Sequence, residues 1–210
     1  MSAPPTDPRA LAAGVTSSAV CDAMARRFAH RAHVIDLVTP TPDAVLVGPV
    51  ATLQFMPNRR DLHPDGGDRF DALLADAAAG AAPGAVLVMS SAGHPDEALA
   101  GGKKVARVEA AGFAGLVCDG RLRDMDEIAG FDVACFARGE TIRAAGDRVT
   151  PFAANVPVVV AGVTVVPGDW VFADRSGAVI VPAGAVTDIL DEARRLEERD
   201  AAAVARIRGT

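Results

Sequence analysis

The sequence predicts an α/β domain, and three observations carry that prediction. Short, fully apolar runs such as residues 85–89 and 115–118 read as strands bounded by turn residues. Segments with helical spacing lie between them, at 68–79 and at about 101–111. Beyond Arg138 the texture changes to closely spaced strands and turns, and an amphipathic stripe closes the chain. One domain over residues 1–210, with a β-rich second half and a C-terminal helix, is the architecture these imply.

In chain order, residues 1–8 read as a flexible leader. Thr16, Ser17 and Ser18 offer hydroxyls to cap a helix that runs to about Phe28. Residues 44–55 are strand-like, with Gly48-Pro49 marking a bend or bulge. The helix at 68–79 ends in glycine and proline, and the strand at 85–89 leads into a loop of small residues, 90–94. After the helix at 101–111 and the strand at 115–118, a short helical turn starts near Arg123 and stops at Gly130. Residues 132–136 form another strand. Four short strands follow at 158–160, 163–166, 170–173 and 178–181. The turn residues between them, including Pro167-Gly168-Asp169 and Arg175-Ser176-Gly177, predict antiparallel hairpins. In the tail, Val186, Ile189, Leu190, Ala193, Leu196, Ala203, Val204 and Ile207 share one helical stripe.

Composition narrows the function. The chain has 210 residues, enough for a sizeable core, and half are apolar. With one Trp, no Tyr and eight Phe, the core is aliphatic and stacking platforms for nucleic acid are not expected. A net charge of −6 gives no basic footprint, and Arg59-Arg60 and Lys103-Lys104 are too short to make one. Cys21, Cys118 and Cys135 lack CxxC spacing, which argues against a disulfide scaffold or a structural zinc. Cys118 and Cys135 read as small buried hydrophobes, and Cys21 has no local basic partner in sequence. The polar N-terminus and the absence of a long apolar run lead us to expect a cytoplasmic protein.

The chemistry concentrates between Gly101 and Asp124. Gly101-Gly102 at a helix start lets backbone N–H groups approach an anion, although a glycine pair also simply ends a loop. Asp119-Gly120-Arg121-Leu122-Arg123-Asp124 follows an apolar strand, where open α/β sheets bind ligands. Arg123 can fork onto a carboxylate, and Asp124 offers a hard oxygen suited to Mg²⁺ or Mn²⁺. Asp119 could orient Arg123 or accept a turn N–H. The same spacing fits a solvated Arg–Asp pair at a helix start equally well. His94, Asp96, Asp169 and Asp174 read as turn residues.

The segments 98–102, 106–115, Asp119 to Asp124, Phe136-Ala137-Arg138-Gly139 and 166–182, with Thr16-Ser17-Ser18, together resemble the RraA-like family. That family includes the 4-hydroxy-4-methyl-2-oxoglutarate (4-carboxy-4-hydroxy-2-oxoadipate) aldolases. The resemblance implies an α/β/β/α sandwich of the swivelling phosphohistidine-domain type, assembled as a homotrimer or dimer of trimers. It implies a class II lyase that needs a divalent metal and releases pyruvate, with oxaloacetate decarboxylation as a second activity. By position, Arg123 would grip the pyruvyl carboxylate of an α-keto acid and Asp124 would hold the metal. Backbone N–H groups of Gly101, Gly102, Lys103 and Lys104 would bind the same carboxylate. Many aldolase members carry an acid where this chain has Gly102, and apolar residues near Lys103 and Lys104. In the family a glutamate of the last helix can reach a neighbouring subunit's site; by their own pattern Glu197, Glu198 and Asp200 read as a solvated helix face. The alternative is a non-catalytic regulator that binds a ribonuclease; a methyltransferase is not supported, because no Gly-rich nucleotide loop follows an early strand.

Overall fold

The computed structural model describes residues 7–59, 61–62, 68–144 and 148–209. Along the chain come α1 (Pro8–Leu11), α2 (Ser17–Arg27), β1 (His33–Val34), β2 (Leu46–Pro57) and α3 (Phe70–Ala79). Next are β3 (Val86–Ser90), β4 (Ala98–Ala100), α4 (Gly102–Ala110), β5 (Gly115–Cys118), β6 (Arg121–Leu122) and α5 (Met125–Ile128). The second half holds β7 (Ala134–Phe136), β8 (Val149–Ala154), β9 (Val158–Val160), β10 (Val163–Val165), β11 (Trp170–Asp174), β12 (Gly177–Val181) and α6 (Val186–Arg208).

Helix starts follow their caps. Thr16 accepts the Ala19 N–H at 3.2 Å and opens α2 at the expected place. Asp7 caps α1 and Pro8 takes its first position, so the expected leader is shorter than eight residues. Residues 1–6 of that leader, and Arg60 of the basic pair, lie outside the described residues.

The main sheet runs β1-β12-β11-β2-β3-β5-β7, with β8 also pairing β2. Strands β2, β3, β5 and β7 are parallel, whereas β1, β12, β11 and β8 join antiparallel. Strand β2 continues through Gly48-Pro49 in unbroken register with β11, without the bulge that was one of the two expectations there. Glycine is required at 48 because a Cβ would run into the Gly84 carbonyl oxygen. The irregularity in β2 falls at Gln54/Phe55, opposite β8.

Alternation along the strands sorts the core into layers. On one face Val47, Phe172, Val179 and Val181 pack with α1, α2 and α6. Farther along the same face, Leu53, Leu87, Met89 and Leu116 pack with α3, α4 and α5. The opposite face carries Val50, Val86, Val88, Val171 and Ile180, covered by Val158, Val160, Val163 and Val165 of the β9–β10 hairpin. Each fully buried aliphatic side chain contributes about 1.5–3 kcal/mol. The layers are helices, sheet and hairpin, a mixed α/β fold with a central sheet.

Helix α6 corrects the expected stripe. Its buried residues are Val186, Ile189, Leu190, Ala193 and Leu196, whereas Val204 and Ile207 are exposed at 51% and 82%. No helix among the described residues is long and apolar enough to cross a membrane.

Candidate functional site

The site is built by a two-rung parallel ladder. Ala98 pairs with Arg121 and Ala100 with Leu122, and the Arg123 N–H donates to the Ala100 carbonyl at 3.0 Å. These rungs carry the loop after β5 to the start of α4. Asp124 then takes a left-handed conformation, φ 62° and ψ 40°, which aspartate tolerates better than most residues. That turn directs its side chain across to α4, where Oδ2 accepts the Gly102 N–H at 3.2 Å. Any Cβ at Gly101 would lie 2.8 Å from Asp124 Oδ2 and 3.1 Å from Arg123 Cβ. Glycine there is a condition of close approach.

Asp124 and Glu127 stand at the spacing of a capping box, in which two side chains satisfy each other's backbone N–H groups. Here the Asp124 side chain makes no capping bond. Glu140 Oε1 instead accepts the Met125 N–H at 3.0 Å. The Glu127 carboxylate lies where a Cβ at Gly102 would sit, with Cδ 2.6 Å from that position. Two carboxylates therefore face the α4 N-terminus, one at each glycine. Arg123 and Glu127 are exposed, and among the described residues neither side chain has a hydrogen-bond or ion-pair partner.

The structure thus brings together Gly101, Gly102, Arg123 and Asp124. Lys103 occupies the first turn of α4, where an N–H has no intrahelical acceptor, and its side chain is exposed. Lys104 departs from expectation. Its N–H donates to the Gly101 carbonyl at 2.9 Å, its Nζ pairs with Asp68 at 2.9 Å, and it sits 4.7 Å from the Phe70 ring centre. Helix geometry and an aromatic surface claim it, so neither its amide nor its ammonium faces the turn. Glu127 was not legible as a site residue, although its i, i+3 offset from Asp124 was the available signal.

Asp119 does not orient Arg123. Its two oxygens accept the N–H groups of Ser91, at 2.6 Å, and Ala161, at 2.9 Å, tying two loops to the end of β5. It borders a cavity of about 420 Å³ with Gln54, Ser91 and Arg138, separate from the Gly101 turn. Glu197 Oε1 accepts the Thr16 N–H at 3.0 Å and its hydroxyl at 2.5 Å, so within the chain this carboxylate fastens α2 to α6. Glu198 and Asp200 are exposed.

The turn residues behave differently from one another. Asp169 accepts the Val166 N–H at 2.8 Å as a hairpin residue, and burial raises its carboxyl above the ordinary range. Asp174 does more than turn, accepting the Ser17 N–H at 2.8 Å and its hydroxyl at 2.7 Å. Asp96 pairs with Arg121 at 3.4 Å. Cys21 has a basic neighbour after all, His33 Nδ1 at 3.6 Å from its sulfur. Burial, then the Asp22 charge, raises that thiol. Burial also raises Cys118, and it pushes Cys135 up to about 12 with help from Glu109.

Among the described residues no group of three or more His, Cys, Asp or Glu forms a metal cage. The donors at the turn are hard carboxylate oxygens on an open surface. That set suits Mg²⁺ or Mn²⁺, which bind through one or two carboxylates and keep several waters.

Residues 17–180 match the RraA-like family, described as Aldolase/RraA. A protein of Halalkalibacterium halodurans named "Putative 4-hydroxy-4-methyl-2-oxoglutarate aldolase" is 33% identical over 122 residues. That match spans 58% of this chain and 58% of the relative's length. Streptomyces coelicolor RraAS2, an unusual member of the RNase ES inhibitor RraA protein family, is 30% identical with a TM-score of 0.83. It covers 97% of this chain and 100% of its own. An uncharacterized protein from Pseudomonas syringae shares the fold at 24% identity and a TM-score of 0.82, covering 99% of this chain and 91% of its own.

Proposed function

The chain belongs to the RraA-like family, and from that premise we propose that it is a metal-dependent carbon–carbon lyase. Its substrate is a 4-hydroxy-2-oxo di- or tricarboxylic acid, cleaved to pyruvate, and oxaloacetate decarboxylation is a second activity. One observation carries the reading: Asp124 bonds the start of α4, and Arg123 stands beside it, its Cβ 3.1 Å from where a Cβ at Gly101 would sit.

Each residue there has a physical task. Among the described residues Arg123 has no partner to give up, so its planar fork is free for the 2-oxo acid's carboxylate. The first-turn N–H of Lys103 and the positive end of α4 favour the same anion. Asp124, with substrate oxygens and water, would hold Mg²⁺ or Mn²⁺, which when bound supplies Lewis acidity at the keto oxygen. The Gly102 N–H keeps the Asp124 carboxylate in place. A trimeric or hexameric assembly goes with this reading, as does a place in the cytoplasm.

The test is release of pyruvate from oxaloacetate and from 4-hydroxy-4-methyl-2-oxoglutarate, with and without Mn²⁺. Arg123→Lys is expected to lower kcat/KM roughly 10- to 100-fold, the worth of a charged hydrogen bond. No metal-dependent turnover on either acid would reject the proposal. A second reading has its own support in the full-length likeness to the Streptomyces RraA protein: a non-catalytic regulator that binds a ribonuclease. Ribonuclease binding by a chain without lyase activity would favour it.

A further inference from the structure

We propose that the cavity at the ends of β3 and β5 is a second binding site, for a short-chain hydroxycarboxylic acid. It lies apart from the Gly101 turn and does not depend on the lyase reading. Its volume of about 420 Å³ has room for a small metabolite. The walls come from the loop after β3, Asp119 at the end of β5, Arg138 after β7 and the β9–β10 hairpin. Crevices at the carboxyl ends of parallel strands are where α/β sheets take ligands.

Two adjacent serines line it on different terms. The Ser90 hydroxyl donates to the Val159 carbonyl at 2.6 Å and accepts the Ala92 N–H at 3.4 Å, so it ties loop to hairpin. Ser91 is completely buried, and among the described residues its hydroxyl has no partner. A buried hydroxyl without a hydrogen bond is unfavourable, and folded chains keep few of them. Rotation about χ1 can swing this one to another staggered position without breaking a bond. A ligand group that both donates and accepts would satisfy it, as an alcohol does.

Arg138 supplies the charge. Its ion pair with Asp36 is 3.9 Å long and both side chains are partly exposed, a kind of pair that holds weakly in water. The guanidinium can therefore turn its fork to a carboxylate. Pro157, Val158 and Val159 add an apolar wall for a short carbon chain. Cation, hydroxyl and apolar wall together select a hydroxy acid over a plain anion.

The rim is set in advance. Asp119 holds the N–H groups of Ser91 and Ala161, which fixes both loops. Each loop is a two-residue turn that opens with an alanine at positive φ. Ala92 has φ 55° before Gly93 at 80°, and Ala161 has φ 48° before Gly162 at 83°. Asparagine or aspartate is the usual first residue of such a turn. Alanine accepts the backbone strain and keeps a longer side chain away from the rim.

The experiment titrates ¹⁵N-labelled protein with butyrate and with 2-, 3- and 4-hydroxybutyrate, following the backbone amide signals. Those of Ala92, Gly93, Ala161 and Gly162 are expected to shift. At least one hydroxy acid should bind about fivefold more tightly than butyrate, the worth of one neutral hydrogen bond. Ser91→Ala should abolish that preference and, having lost only an unpaired hydroxyl, keep the wild-type melting temperature. Arg138→Met keeps the apolar stem without the fork and should weaken all four acids at least about 10-fold. Equal affinity for butyrate and the hydroxy acids would overturn the proposal, as would a preference that survives Ser91→Ala. Shifts confined to the Gly101 turn, or no shift with any of the acids, would overturn it too.

Discussion

Asp124 occupies a backbone conformation that most side chains avoid, and this decides which substitution is informative. Asparagine is at home in the left-handed region, whereas alanine there costs on the order of 1 kcal/mol. Asp124→Asn is therefore expected to melt within about 0.5 kcal/mol of wild type while losing Mn²⁺ binding and turnover. Asp124→Ala should lose the same activity and some stability as well. Guanidine denaturation beside Mn²⁺ titration separates the two effects. The thiols give a second residue-scale expectation. Cys118 and Cys135 are completely buried and held protonated, whereas Cys21 is partly exposed. A thiol reagent on the native protein should modify one cysteine, and three after unfolding. Arg123 and Asp124 could be picked out from the order of residue types after an apolar strand. Glu127 could not, because its orientation depends on Glu140, 13 positions away and capping α5 in its place.

Single elements sort by whether their signal is local. α2 has its cap, α4 its glycine start, and β9 and β10 their turn, so each was readable within a few residues. Strands β4 and β6 are three and two residues long, too short for any periodicity. They exist because the loop after β5 folds back onto the approach to α4, a long-range event. Strand β8 escaped notice for a related reason: its pairing with β2 spans about a hundred residues. The last helix shows the opposite failure. Its stripe continues by pattern into Val204 and Ile207, but no described residue buries them. Leu196→Ala is accordingly expected to cost about 2–5 kcal/mol in a denaturant titration. Ile207→Ala should fall within about 0.5 kcal/mol of wild type for the isolated chain.

Across the whole molecule, the two helical groups share one face of the sheet but differ in how the chain supplies them. The group that carries the site, α3 to α5, packs on β2, β3 and β5, and most of its residues come from the first two-thirds of the sequence. The other group joins α1 and α2 to β11, β12 and α6, so the first and last parts of the chain form one core. Glu197 on Thr16 and Asp174 on Ser17 fasten that union across 181 and 157 positions. Such distant pairings slow folding, since a long loop must close before any contact rewards it. A chain still emerging from the ribosome meets this constraint directly. Until β11 and β12 are synthesised, α2 has no surface to dock on and β2 keeps an unpaired edge. The growing polypeptide thus carries an open strand and an uncovered amphipathic helix through most of its synthesis, the kind of surface that holding chaperones bind.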